Sequence, residues 1–557
     1  MKYSYQHVFL FIASCLIASL SLPSLSVWSS FFSTFVSYSI IFFLTIQCDL
    51  KKQKFWLGTA WFTFVNLSQL SWFLSHPFYY ILILWIVLSL LLGMQFGFIC
   101  SLINKKNIKS ISSILGIASL WTLLEWSRLF FLSGFSFSPL GMSWSFSLYA
   151  IQFASLIGIY GLSFWLILTN LLILRAYIYR FSFVIPIFIA ITPYLFGFIH
   201  YSYHKKQLDQ HTETFDALLI QTGFPIEETL PAWNSGEMVL FVMEEWKRIL
   251  LSLSDFNSNP LDLIALPEFT VPYGTYSFAF PYDQIYEMFS QYFSKEKLDS
   301  LPQLKAPFAY FHPSRGWYVN NAFIAQGIAN IFQTNVVAGL EDAENVEGKG
   351  KVYYSSAQYF CPFKETIAQE HTYPTIDRYD KRVLVPMGEY IPFTFLSELA
   401  KSYGIGGSLT HGKNAKVFTH NKTPFSTSIC YEETFGHLIR EGSTLGSRLL
   451  VNLTSDVWFP TVSQNHFDHG KIRTVENGVP LIRCCNVGIT CGVDALGQLI
   501  NRLENDGTNQ KTEALLVKIP TYHYQTLYAK TGDNILISFC GLFAIYFFIK
   551  RKKDLSN

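Results

Sequence analysis

"FDALLIQTG", Phe215 to Gly223, is the stretch on which the fold turns. A short apolar run that closes on Thr-Gly reads as a buried strand; a membrane helix needs about 20 apolar residues. The chain on either side divides at this point. Residues 1–203 carry few charges, gathered in short clusters between long apolar runs, whereas 204–532 look like an ordinary soluble domain. Residues 533–549 are apolar again and "KRKK" follows. The 557 residues are half hydrophobic and only 14% charged, against about 25% in soluble domains. A membrane protein is therefore expected, and a net charge of +2 argues against a nucleic-acid partner. The expected organisation is a transmembrane bundle of about seven helices over 1–203, a large folded insert over 204–532, and a closing membrane helix with a basic tail over 533–557.

Upstream of Phe215 the length criterion gives candidate spans at 8–22, 27–48, 55–74, 78–103, 110–133, 150–174 and 182–200, with an eighth at 533–549. Basic residues mark cytoplasmic loops. "KKQK" (51–54), "NKKNIK" (104–109), "RAYIYR" (175–180) and "KRKK" (550–553) follow spans two, four, six and eight, while the loops after spans three and five contain no Lys or Arg. This alternation puts both termini in the cytoplasm and the insert outside, which in a bacterium is the periplasmic side of the inner membrane. "IASC" (12–15) has the look of a lipoprotein processing site. The apolar run before it is too short and more spans follow, so a retained helix is expected.

Five of the nine cysteines (361, 430, 484, 485 and 491) fall in the insert, an odd number, so at least one has no partner within it. There is no CxxC, which argues against a structural zinc site.

Downstream of Phe215, strand-like runs ("LDLIALPEF", "NVVAGLE", "VLVP", "STSIC", "RLLVNLT", "PLIRCCNVGITCGVD", "EALLVKI") alternate with helical ones ("EMVLFVMEEWKRILLSL", "NHFDHGKIRTVENG"). That pattern indicates a layered α/β domain. In such folds reactive side chains lie where strands end. Glu268 follows "LDLIALP", Lys381 immediately precedes a short apolar run, and Cys430 ends "STSI". Taken singly, each has a bland reading: a capping carboxylate, a solvated ion pair, a core thiol. Taken together they form a working set. A thiolate is a nucleophile, a carboxylate can take its proton, and an ammonium can stabilise an oxyanion.

"LPEF" around Glu268, "YDKRVLVPMGEYIPF" (379–393), "ICYE" (429–432), "LVNLTSDVWF" (450–459) and "RTVENGVPLIRCCNVGIT" (473–490) resemble the Glu-Lys-Cys motifs of the nitrilase superfamily. With seven spans before and one after, the chain resembles that superfamily's membrane-embedded branch, the apolipoprotein N-acyltransferase family. "LEWSR" (124–128), "GFSFSPLGMSW" (134–144) and "IGIYGLSF" (157–164) fit its membrane part more loosely. The resemblance implies an α-β-β-α sandwich and a two-step acyl transfer from a phospholipid, through a thioester on Cys430, to the N-terminal cysteine amine of a diacylated apolipoprotein. It casts Glu268 as base, Lys381 as oxyanion partner, Glu389 as the carboxylate orienting that lysine, and Tyr431 and Glu432 as site-shaping residues. It aligns Trp233 with a substrate-binding tryptophan. It implies a monomer with no cofactor and no metal. Met387 stands where the family usually has Phe, a departure that bears on lipid fit and leaves the triad untouched.

"GSLTHGKN" (407–414) nearly spells a phosphate loop but has Asn414 at the hydroxyl position and no clear strand before it. "HFDH" (466–469) has ligand-like spacing without an evident third ligand, so a solvated or interfacial pair is expected. "TVPYGTYSFAFPY" (270–282) could form an aromatic lip over the site or simply pack in the core. Two other functions fit the same residues: a membrane-tethered amidase in which water replaces the amine, and a non-catalytic lipoprotein-binding scaffold. Eight spans argue for a lipid substrate, since one helix suffices as a tether, and retention of all three triad residues argues against a scaffold.

Overall fold

The apolar segments before Thr214 fold as helices, in a computed structural model that describes residues 5–22, 27–225, 230–232, 235–256, 260–348, 350–363, 377–392, 409–419, 423–505 and 511–556. Tyr5–Ser19, Lys51–Gln69, Tyr80–Leu102, Ile111–Ser127, Ala154–Tyr179, Val184–Gln210 and Asn534–Ser556 each coincide with an expected span. The second span is broken into Val27–Phe32, a π-helical turn Ser33–Ser37, and Tyr38–Ile46. Among the described residues, four helices are long and apolar enough to cross a bilayer: Tyr80–Leu102, Ala154–Tyr179, Val184–Gln210 and Asn534–Lys553. Within Ala154–Tyr179, Gly158 has φ 65° and kinks the helix.

The chain forms two compact units. The first contains Met1–Asp209, Tyr524–Asn557 and also Gln464–Gly478, drawn from the middle of the insert. The helix Ser463–Asn477 is anchored there by polar bonds. Ser145 donates its hydroxyl to Asp468 at 2.8 Å, Lys471 donates to the Ser145 carbonyl at 2.7 Å, and the Ile159 amide donates to Glu476 at 2.8 Å. Of the two readings of the "HFDH" pair, the solvated one fails. His466 and His469 are both buried, and His469 Nε2 bonds the Phe137 carbonyl at 2.9 Å.

The second unit contains Gln210–Ser463 and Val479–His523. Besides a small three-stranded sheet of Phe280–Pro281, Gly316–Val319 and Ala309–His312, its strands are β1 (Thr214–Gln221), β2 (Leu263–Leu266), β3 (Asn335–Val346), β4 (Gly350–Phe360), β5 (Asp377–Asp380), β6 (Val417–Phe418), β7 (Phe425–Ile429), β8 (Leu449–Thr454), β9 (Leu481–Cys485), β10 (Gly488–Val493), β11 (Leu499–Asn505) and β12 (Glu513–Pro520). These twelve make two six-stranded sheets, ordered β12-β1-β2-β3-β4-β5 and β11-β10-β9-β8-β7-β6. Both are parallel at the centre and antiparallel at the flanks.

The two-residue repeat of a strand explains the layering. Phe215, Ala217 and Leu219 of β1 and Leu263 and Ala265 of β2 face Phe425, Ile429, Val451, Leu453 and Ile482 of the other sheet. The alternate residues, Leu218, Ile220, Ile264 and Leu266, pack under the helices Gly236–Ser254 and Asn321–Phe332. The helix Gly436–Thr444 lies against β7 on the other side. Burial on both faces is why these strands read as continuous apolar runs. The result is an α-β-β-α sandwich.

One expectation fails and one open choice is decided. "VLVP" forms no strand, because the Val385 amide is taken by the Glu389 side chain at 2.9 Å and Met387 has φ 64°. The aromatic stretch 270–282 mostly packs inward: Val271 and Phe280 belong to the core, Tyr273, Tyr276 and Tyr282 pack against it, and Phe278 alone among its aromatics is strongly exposed.

Candidate active site

Glu268, Lys381 and Cys430 each lie just beyond a strand end, after β2, β5 and β7 respectively. β2 and β5 belong to one sheet and β7 to the other, so the face-to-face packing of the sheets brings the three together. Lys381 Nζ donates to Glu268 Oε1 at 2.8 Å and to Glu389 Oε1 at 2.5 Å. The Cys430 thiol interacts electrostatically with Glu268 and Lys381 and lies 3.7 Å from the Ser455 carbonyl. Lys381 is fully buried, Glu268 nearly so, and Cys430 partly exposed. Cys430 is therefore the least buried of the three residues.

Backbone contacts fix each position. The Lys381 amide donates to the Ser355 carbonyl, and the Gly412 amide donates to the Lys381 carbonyl, both at 2.8 Å. The "GSLTHGKN" stretch thus braces the lysine: over its described residues, Leu409 bonds the Glu389 carbonyl, Thr410 the Tyr353 carbonyl and His411 the Arg382 carbonyl. At Glu268 the neighbouring strand comes so close that a Cβ on Gly339 would lie 2.3 Å from the Pro267 carbonyl oxygen. Cys430 has φ 50°, a left-handed conformation uncommon outside glycine, which turns the thiol out of the strand.

Burial raises the Glu268 carboxyl above its usual range, and the Lys381 ammonium only partly opposes this. Burial works against the charged lysine, but Glu268 and Glu389 overcome it and hold Lys381 well above the ordinary value. Burial also pushes the Cys430 thiol up, reinforced by the negative charge of Glu268. A resting neutral thiol beside a carboxylate and an ammonium is an arrangement that can move a proton from sulfur to Glu268 as sulfur forms a new bond.

The expected supporting residues fall as follows. Glu389 holds Lys381 with one oxygen and accepts the Val385 amide with the other. Glu432 accepts from the Tyr379 hydroxyl (2.9 and 2.8 Å to its two oxygens) and from the amides of Arg382 (2.6 Å), Val383 (3.1 Å) and Ile429 (2.8 Å). It therefore joins the segment that carries Lys381 to the segment that carries Cys430. The Tyr431 ring meets Phe435 edge to face at 5.0 Å. Trp233 lies outside the described residues.

Glu432→Leu is expected to leave these donors buried without an acceptor, at about 1–3 kcal/mol per group. Denaturant unfolding of the second compact unit should shift accordingly, with Glu432→Gln affected less because it keeps an acceptor oxygen.

Sequence reasoning passed over four residues that the geometry draws in: Tyr379, Arg382, Asp456 and Arg483. Arg382 pairs with Glu441 at 2.5 Å and its amide reaches Glu432. Arg483 is fully buried in β9 and pairs with Glu433. A charged residue inside the otherwise apolar "PLIRCC" was a signal for the last of these, since a buried charge requires a partner.

Residues 14–172 match a family model described as the apolipoprotein N-acyltransferase N-terminal domain, and residues 242–517 match one described as carbon-nitrogen hydrolase. An apolipoprotein N-acyltransferase of Chlamydia pneumoniae is 30% identical over 96% of this chain and 96% of its own length. One from Chlamydia trachomatis is 29% identical over 98% and 97%. A crystal structure of Saccharomyces cerevisiae Nit3, a member of branch 10 of the nitrilase superfamily, is 15% identical with a TM-score of 0.34, covering 55% of this chain and 90% of that one.

Proposed function

Because this chain belongs to the apolipoprotein N-acyltransferase family, we propose that it transfers an acyl chain from a phospholipid to the N-terminal cysteine amine of a diacylated apolipoprotein in lipoprotein maturation. The observation that carries this reading is the meeting of Glu268, Lys381 and Cys430 on a chain that also has bilayer-length apolar helices.

The first step begins as Glu268 takes the thiol proton and sulfur attacks the ester carbonyl carbon of the phospholipid. Lys381 and the Tyr431 amide stabilise the oxyanion. Collapse breaks the carbon–oxygen ester bond, and the proton held by Glu268 passes to the departing alkoxide. A lysophospholipid leaves and Cys430 carries a thioester. In the second step the free α-amine attacks the thioester carbonyl. Glu268 takes the amine proton and returns it to sulfur, and an amide is released. A thioester suits the exchange: it is reactive towards amines, and the amide product is stable. Glu389 keeps the lysine aimed, and Glu432 and Tyr431 shape the turn.

The membrane part serves the substrates. Exposing an acyl chain to water costs about 0.8 kcal/mol per CH₂, so both lipids are best handled where they lie. The same reading makes the enzyme a monomer of the bacterial inner membrane with eight spans, both termini cytoplasmic and the catalytic domain periplasmic. It keeps the three-part organisation of 1–203, 204–532 and 533–557, with Trp233 contributing to substrate binding.

The test supplies purified enzyme with phospholipid and a diacylated lipopeptide whose amine is free. Triacylated lipopeptide and lysophospholipid should appear in equal amounts. Free fatty acid with unmodified lipopeptide would replace the transferase reading with a hydrolase.

A further inference from the structure

A buried arginine in the middle of a strand is costly unless its charge is matched. Arg483 is wholly buried at the centre of β9, and all three of its nitrogens are engaged. Nε meets Glu433 Oε1 at 2.9 Å, Nη1 donates to the Ile489 carbonyl at 2.7 Å, and Nη2 lies 3.5 Å from Asp456 Oδ2.

The two carboxylates belong to the two turns that hold the candidate nucleophile. Glu433 sits in the 3₁₀ turn Cys430–Thr434, which begins at the thiol residue. Asp456 follows β8, next to Ser455, whose carbonyl is the one 3.7 Å from the Cys430 sulfur. Asp456 is also fixed from outside this ion pair. Its amide bonds the Val487 carbonyl at 2.9 Å, and a Cβ on Gly488 would lie 2.4 Å from Asp456 Oδ2. Gly488 has φ 121°, so the β9–β10 turn is built to admit that carboxylate. Cys430 itself is held at φ 50°. A non-glycine residue in that region persists only when its surroundings over-determine it, and the Glu433–Arg483–Asp456 bridge is a determinant three residues away.

We propose that Arg483 is a positioning residue for Cys430: by bridging Glu433 and Asp456 it locks the turn that carries the thiol to the turn beside it, and so keeps the sulfur aligned with Glu268 and Lys381. The inference rests on the reading of Cys430 as the nucleophile. Its effect is expected on the rate of thioester formation and not on phospholipid affinity, because Arg483 is buried and reaches no substrate.

The test compares single-turnover acylation of Cys430 by labelled phospholipid in the wild-type chain, Arg483→Met and Glu433→Leu. Each variant should acylate with a rate constant about a hundredfold lower, the loss produced by a displacement of about 1 Å, at an unchanged half-saturating phospholipid concentration. A merely structural role would lower the amplitude, through fewer folded molecules, and leave the rate constant alone. Should Arg483→Met fail to accumulate, Glu433→Leu decides by itself, since it leaves the arginine paired with Asp456. Wild-type rate constants in the variants that fold would overturn the proposal while leaving the acyl-enzyme reading intact. Absence of thioester in the wild-type chain would instead remove the reading on which it rests.

Discussion

Lys381→Met is expected to slow thioester formation by about 10³-fold or more and to lower the stability of the second compact unit. The side chain is fully buried and joins Glu268 at 2.8 Å to Glu389 at 2.5 Å. Without the ammonium, the buried Glu268 carboxylate and the part-buried Glu389 carboxylate face each other with no counter-charge. Breaking a buried pair by removing one partner costs about 3–5 kcal/mol, and uptake of a proton by one carboxylate recovers part of this. Glu268 would then be protonated and unable to accept the thiol proton. The oxyanion also loses a donor, which alone is worth about 10²–10³ in rate. Together these place the loss at about 10³-fold or more. Lys381→Arg should rescue little, because the planar guanidinium is larger and the site is closed around a point charge. Single-turnover acylation and denaturant unfolding of the same preparations check both halves.

Glu268→Gln should separate thiol reactivity from catalysis. The negative charge of Glu268 is one of the causes that push the Cys430 thiol up, after burial itself. Neutralising it leaves Lys381, which favours the thiolate, less opposed, so the thiol titration should move down. Alkylation of Cys430 by iodoacetamide at a fixed pH near 8 should become faster. Acylation should nevertheless fall by about 10²–10⁴, the usual contribution of a general base, because the proton has no acceptor poised to return it to the leaving group. In the unaltered enzyme the acid limb of the rate should lie above 4.5, since burial lifts the Glu268 carboxyl above that value. In Glu268→Gln that limb should disappear. Slower alkylation together with slower acylation would mean that Glu268 holds the turn in place and is not the base.

What the sequence revealed followed from local signals. "FDALLIQTG" became β1, and "LDLIALPEF" became β2 with Glu268 just beyond it, because a strand buried on both faces announces itself as an apolar run. Each apolar segment upstream became helix for the same reason of length and composition. The three candidate residues were legible from their places at strand ends together with the family motifs around them.

What escaped depended on contacts distant in sequence. Nothing local says that the Tyr379 hydroxyl meets Glu432 or that Arg483 spans to Glu433 and Asp456; those pairings follow from strand order and register. "KVYYSSAQYF" was passed over and forms most of β4, whose mixed polar and apolar faces reflect its place near the sheet edge. The helix Ser463–Asn477 was legible as a helix but not as part of the first compact unit, because its buried polar side chains are matched by groups more than 300 residues away, as Ser145 matches Asp468. "VLVP" shows the converse error: an apolar run with strand composition whose amide is captured by a side chain.

The most direct measurement incubates the purified enzyme with phospholipid bearing a labelled acyl chain, with no acceptor present, and weighs the peptide that contains Cys430. The account predicts a mass gain equal to one acyl chain on Cys430, removed by hydroxylamine and by a diacylated lipopeptide with a free amine. An unmodified Cys430 in an enzyme that still transfers acyl chains, or the label on another residue, would contradict it.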